Sequence, residues 1–268
     1  MNMKKINVLK PKFRIEEILD SIRECLEKGW TGMGYKTEQF ENEWCKYTNL
    51  PNSLFLNSNT SGLHLALNVL KKNNNWENGD EIITTPLTFI STNHSIKYEN
   101  LTPVFADVDE QLCLDPVDVE LKITKKTKAI MFVGIGGNIG QYKNIKEICE
   151  KYNLKLIFDA AHCAGTKLVD SYEGVCFIDK DTYSRSHSGT YKWKYNVDDI
   201  GFKYNGNSVM ASMGLVGLKY LDVDNERRRE IASLYDNLLK GVKGVKIINH
   251  SIECKSSRHL YQIRVDKA

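Results

Sequence analysis

In LKLIFDAAHCAG, residues 154–165, Asp159 ends a mostly apolar run and His162 follows three positions later. A carboxylate delivered by a buried strand needs a partner, because an unpaired charge in low dielectric is costly. At a strand end it can hold a pyridine nitrogen protonated, which keeps such a ring an effective electron sink. The opposite charge offsets the desolvation of the aspartate. His162 is placed to hydrogen-bond a ring hydroxyl of the same ligand. The alternative is a structural aspartate that caps the next turn.

Two other stretches carry related chemistry. SNTSG puts Ser58, Asn59, Thr60 and Ser61 where a short apolar strand, SLFLN, meets a helix. The first turn of a helix exposes free N–H groups and a positive dipole end, so hydroxyls there build a phosphate cradle. Simple capping by Asn59 or Thr60 is the alternative. TPLTFIST follows the strand EIITTP and supplies Phe89, either as core or as a ring that stacks on a planar ligand. A cradle, a stacking ring and a strand-end aspartate, in that order on an α/β scaffold, describe a site for pyridoxal 5′-phosphate. VGIGGNIG offers Gly134, Gly136 and Gly140 as GxGxxxG, halfway along the chain. A dinucleotide fingerprint is GxGxxG and opens the first βαβ unit, so a tight strand-to-helix connection is the better reading. No GxxxxGK[ST], HExxH or GxSxG occurs.

These residues require elements that hold them. RIEEILDSIRECLEKG places Ile15, Ile18, Leu19, Ile22 and Leu26 on one helical stripe, and a second helix is expected around Phe40 to Tyr47. A third begins at NTSGLHLALNVL. EIITTP, TPVFADVD, KAIMFV and LKLIFD read as buried strands, with helices such as NIKEICEKY between them. That alternation predicts an α/β fold with a mainly parallel sheet covered on both faces, whose ligands sit beyond the C-terminal strand ends. Beyond residue 170 the pattern loosens. Two helices are expected over SVMASMGLVGLKYL and NERRREIASLYDNLLKG, then two strands of a small domain to the end.

With 268 residues, 41% hydrophobic and 26% charged, the composition is that of a soluble globular protein, and a net charge of +3 gives no nucleic-acid footprint. Neither a leader-like nor a membrane-length apolar run occurs. Seven cysteines without CxxC pairs or metal-ligand spacing read as reduced thiols of a cytoplasmic protein, with no metal site.

Seven blocks, in order, resemble the DegT-type (DegT/DnrJ/StrS) sugar-nucleotide aminotransferases: WTGMGYKTEQFENEW, LNSNTSGLHLAL, GDEIITTPLTFIST, TPVFADVD, KTKAIMFVGIGGN, LIFDAAHCAG and WKYNVDDIGFKYNGNSVMASMGLVGLKYLD. The resemblance implies the aspartate-aminotransferase architecture, with a seven-stranded type of sheet. The large domain would span residues 1–222 and an incomplete small domain 223–268. It implies that Thr60 and Ser61 hold the cofactor phosphate, Phe89 stacks on the ring, Asp159 pairs with its nitrogen and His162 approaches its oxygen. Lys203, where many members carry Asn, would reach the phosphate of the neighbour in a homodimer; the alternative is a plain surface lysine. The implied reaction takes an amino group from glutamate to a keto group of a nucleotide-linked sugar, in amino-sugar and polysaccharide biosynthesis.

The sequence departs from the family pattern in one place. Members carry a segment like FSFxxxK, then a Gly-Gly pair, whose lysine bonds the cofactor covalently. Here EGVCF runs into IDKDTYSRSHSG, so a gap is expected near 177–178 and the anchoring lysine is expected to be missing. Lys180 is the nearest candidate, without the surrounding residues. Lys192 and Lys194 belong to a later block, and His187 lacks the context of a histidine-substituted variant. By the same resemblance the C-terminal domain is expected to be incomplete. Two other readings remain open: an inactive relative that binds cofactor or sugar nucleotide, and another fold-type-I enzyme acting on amino acids.

Overall fold

A computed structural model of the protein describes residues 11–168 and 201–266. Three helices come first: α1 (Ile15–Glu27), α2 (Tyr35–Thr48) and α3 (Asn59–Asn73). Then β1 (Glu81–Thr84), α4 (Ile90–Tyr98), β2 (Thr102–Phe105), α5 (Pro116–Leu121), β3 (Thr127–Val133), α6 (Tyr142–Tyr152) and β4 (Lys155–Asp159) alternate. The strands form a parallel sheet in the order β2-β1-β3-β4. The α/β class expected from the alternation is what forms, with four sheet strands among the described residues. SLFLN, expected as a strand, makes only an antiparallel bridge from Leu56 to Asn205. Its backbone is instead engaged by residues 204–206, through Asn57 N–H to Tyr204 O (2.8 Å) and Gly206 N–H to Phe55 O (2.9 Å).

Both faces of the sheet are covered. Ile83, Ile130, Phe132 and Phe158 pack with Tyr142, Ile145 and Cys149 of α6 on one side. Ile82, Ala129, Met131 and Ile157 pack with Leu63 and Leu67 of α3 and Ile96 of α4 on the other. Each such fully buried side chain contributes roughly 1.5–3 kcal/mol. Strand residues alternate faces, so Asp159, two beyond Ile157, is directed to the α3/α4 side. That parity places the carboxylate.

After β5 (Lys167–Leu168) and residues 169–200, a single helix, α7 (Ser208–Leu239), replaces the two expected helices. Residues 222–224, between the two expected helices, include neither Gly nor Pro, and the side chains here have distant partners. Asp224 takes a bidentate contact from Arg14 (both 2.7 Å), Asp222 accepts from Tyr47 Oη (2.6 Å), and Asn225 donates to Ala164 O (2.9 Å). The expected division between 222 and 223 therefore falls inside α7. The helix packs on α1 and α2. The α1 stripe is wider than its contact: Cys25 is fully buried, while Ile15, Leu19 and Leu26 are exposed.

The C-terminal segment forms three short strands rather than two. β6 (Val245–Ile247) pairs antiparallel with β8 (Ile263–Val265), and β7 (Cys254–Lys255) pairs with β5. Cys25, Cys113, Cys149 and Cys163 are buried free thiols. Burial pushes the Cys149 thiol up to about 12, so it is no nucleophile. Among the described residues no helix is long and apolar enough to cross a membrane, and no group of His, Cys, Asp or Glu could hold a metal ion.

Candidate functional site

The start of α3 is capped by Ser58, not by Asn59 or Thr60 as expected. Ser58 is extended (φ −163°), and its hydroxyl accepts from the amide of Ser61 at 3.2 Å. The Ser61 hydroxyl turns back to Asn57 Oδ1 (2.6 Å) and lies 2.8 Å from Ser58 Oγ. The Gly62 amide is taken by Ser58 O (3.2 Å). The amides of Asn59 and Thr60 head the helix with no acceptor among the described residues. Such a turn receives an anion without rearrangement.

Asn59 is free of capping because it serves Asp159. Its Nδ2 donates to Asp159 Oδ1 (2.9 Å), the amide of Ala161 donates to the same oxygen (3.2 Å), and Thr92 Oγ1 donates to Oδ2 (2.7 Å). The residue is 5% exposed, yet its carboxylate is well partnered. An ionised carboxylate has about four acceptor positions. Oδ1 has two donors and Oδ2 one, so a position on Oδ2 stays open to a further N–H. Asn59 sits in the first turn of α3 and Thr92 in that of α4, so the end of β4 is held between two helix starts.

Phe89 is the residue before α4. The Thr92 amide bonds to Phe89 O (3.1 Å), which puts the ring one turn from the residue that holds Asp159. Phe89 is 76% exposed, which rules out the core reading and leaves an aromatic face open beside the site. Lys203 is exposed. Its neighbours fix the backbone: the Tyr204 carbonyl accepts from Asn57, and the Tyr204 hydroxyl lies 2.9 Å from His64 Nδ1. Lys203 thus flanks the α3 start of its own chain.

His162 lies beyond Asp159 but turns to the glycine loop. Its Nδ1 accepts from the Gly136 amide (3.2 Å), and its ring stacks on His259, with centroids 4.5 Å apart and planes at 17°. Burial lowers its basicity, against the opposing pull of the Asp159 charge. The loop is a connection, as expected, built around a short turn at Ile135–Gly137. Gly137 has φ +89°, and a Cβ there would meet Ser257 Oγ at 2.2 Å. The C-terminal segment lies directly on it.

Asp159, Thr60, Ser61 and Phe89 thus gather on one rim, with His162 behind and Lys203 to the side. Sequence reading missed the parts played by Asn59, Thr92 and His259. Thr92 had a faint signal, as the hydroxyl one helical turn after the exposed aromatic. Lys180, His187, Lys192 and Lys194 fall outside the described residues.

Comparison with known proteins places the family and the fold. The sequence model of the DegT/DnrJ/EryC1/StrS aminotransferase family matches residues 13–184 and, separately, 178–268. The spore coat polysaccharide biosynthesis protein SpsC of Bacillus subtilis is 31% identical over 292 aligned positions, covering 94% of this chain and 74% of SpsC. An alignment longer than the chain opens gaps in it. The aminotransferase TlmJ of Streptoalloteichus hindustanus superposes with a TM-score of 0.85 at 25% identity, covering 98% of this chain and 79% of TlmJ. Spr1654 of Streptococcus pneumoniae, solved in a PLP form, gives a TM-score of 0.84 at 26% identity, covering 99% and 79%. These are fold-type-I neighbours, and the architecture is theirs.

Proposed function

Since the chain belongs to the DegT/DnrJ/EryC1/StrS aminotransferase family, we propose that its site takes pyridoxal 5′-phosphate and is built to move an amino group from glutamate to a keto group of a nucleotide-linked sugar. The observation that carries this is Asp159, held by Asn59, Thr92 and the Ala161 amide with one acceptor position open on Oδ2. That position suits a pyridine N–H. The α3 amides, with Thr60 and Ser61, would receive the phosphate, Phe89 would cover the ring, and His162 would face its oxygen. When bound, the cofactor supplies an electron sink for carbanion chemistry at an amino-acid Cα. The chain's own task is to bind, orient and keep the ring nitrogen protonated through Asp159. In this reading the chain works as a cytoplasmic homodimer, with Lys203 of one protomer beside the phosphate of the other.

A second reading has its own support. The family model matches in two pieces that overlap at 178–184, where the anchoring lysine is expected to be missing. In that reading the chain binds the cofactor without transaminating. One experiment separates the two. The cofactor-loaded chain is reduced with borohydride and mapped by mass spectrometry, alongside an assay of glutamate conversion with nucleotide-linked ketosugars. Bound cofactor with no pyridoxyl-lysine and no turnover would favour the second reading. A stoichiometric adduct, on Lys180 for instance, together with glutamate-dependent turnover would establish the full enzyme. Absence of cofactor binding would sink both.

A further inference from the structure

The stacked histidines connect the last part of the chain to the site, and their hydrogen bonds define a protonation state. His162 Nδ1 lies 3.2 Å from the Gly136 amide nitrogen, which can only donate. A proton on Nδ1 would set two donors face to face. The ring is kept from turning away by His259, stacked on it at 4.5 Å and 17°. His259 is itself held by its neighbours. Ser257 Oγ donates to the His162 carbonyl (2.8 Å), the Leu260 amide reaches Gly136 O (3.4 Å), and the Arg258 amide bonds to Ser256 Oγ (3.0 Å). Ser256 Oγ in turn donates to Gly137 O (2.9 Å). Residues 256–260 therefore lie across both the glycine loop and the β4–β5 turn.

We propose that His259 is a positioning residue which, with the Gly136 amide, locks His162 as the neutral Nε2–H tautomer, a hydrogen-bond donor beside Asp159. The lock works against a real pull. The Asp159 charge favours an imidazolium at His162, while burial disfavours it. Arg228 of α7 and the neighbouring His162 both act against a charge on His259, in addition to burial. Two stacked imidazoles resist a second positive charge, so protonation of both rings together is disfavoured. A neutral Nε2–H donor suits an anionic ring oxygen. The inference depends on the cofactor reading only for the identity of that acceptor.

The test uses the full 15N-labelled chain without added ligand, and long-range 1H–15N spectra of the histidine rings. At neutral pH we expect His162 to show an unprotonated Nδ1 and a protonated Nε2. His259→Phe keeps a stacking ring without a charge, so it should retain the tautomer. His259→Ala should yield a mixture of tautomers. A His162 that carries its proton on Nδ1, or is cationic at neutral pH, would overturn the lock. So would an unchanged tautomer in His259→Ala, or a lost one in His259→Phe. Melting curves and amide spectra show whether each variant is folded, and the Phe variant keeps the test decisive if the Ala variant is not. Pyridoxal phosphate is then titrated into the wild-type chain. Failure to bind with the tautomer intact would uphold the lock and overturn the cofactor reading instead.

Discussion

Asp159 is the residue on which the site turns, and its three donors set what a substitution does. Asp159→Asn keeps the shape and lets the Thr92 hydroxyl reverse, so stability should change by no more than about 1–2 kcal/mol. Loss of the negative acceptor on Oδ2 should weaken pyridoxal phosphate binding tenfold or more, read by the visible absorbance of the bound cofactor. Unchanged affinity would mean that the carboxylate is structural. Asn59→Ala should weaken binding less, because Thr92 and the Ala161 amide still orient the aspartate. Asp159 and Phe89 were legible in the sequence because strand period and strand-end position name them. Asn59 was legible only as a possible cap. Its actual bond spans 100 positions of chain, and no local pattern encodes such a contact.

At the scale of elements, the glycine loop and α7 show where local patterns end. Strand and helix alternation was readable from residue 80 to 160, since buried parallel strands are short apolar runs between amphipathic helices. The single α7 was not readable. Asp222 and Asp224 read as a gap between two helices until Tyr47 and Arg14 are brought to them by the fold. Gly137 gives a direct test of the packing between the loop and the C-terminal segment. Gly137→Ala adds a Cβ at φ +89° against Ser257 Oγ. It should lower stability by on the order of 2 kcal/mol or more, measured by chemical denaturation. The same change at Gly79, which also has positive φ but open space around it, should be milder.

Across the whole molecule, neutral buried histidines shape the response to pH. Burial depresses His250 to about 4, and it lowers His162 and His259 as well. The unfolded chain takes up these protons from about pH 6.5 downward, while the folded chain does so only at lower pH. Stability is therefore full above about pH 7 and is lost as pH falls toward 4. His250 alone contributes on the order of 1–2 kcal/mol of this by pH 5. A melting temperature that stays flat between pH 7.5 and 5 would contradict neutral burial. The family and its architecture were legible from seven ordered blocks. The way residues 254–260 bind back to the site was not, because those contacts join parts of the chain far apart in sequence.

Those contacts also bear on the order in which the protein is made. Gly136, Gly137, Thr166 and His162 all take bonds or ring contacts from Ser256, Ser257, His259 and Leu260. A ribosome emits the sheet, the α3 cradle and Asp159 long before it emits that clasp. Nascent chains stalled ahead of residue 254 should therefore carry a folded sheet and an unfastened His162. Emergence of residues 254–260 should be the moment at which the site sets.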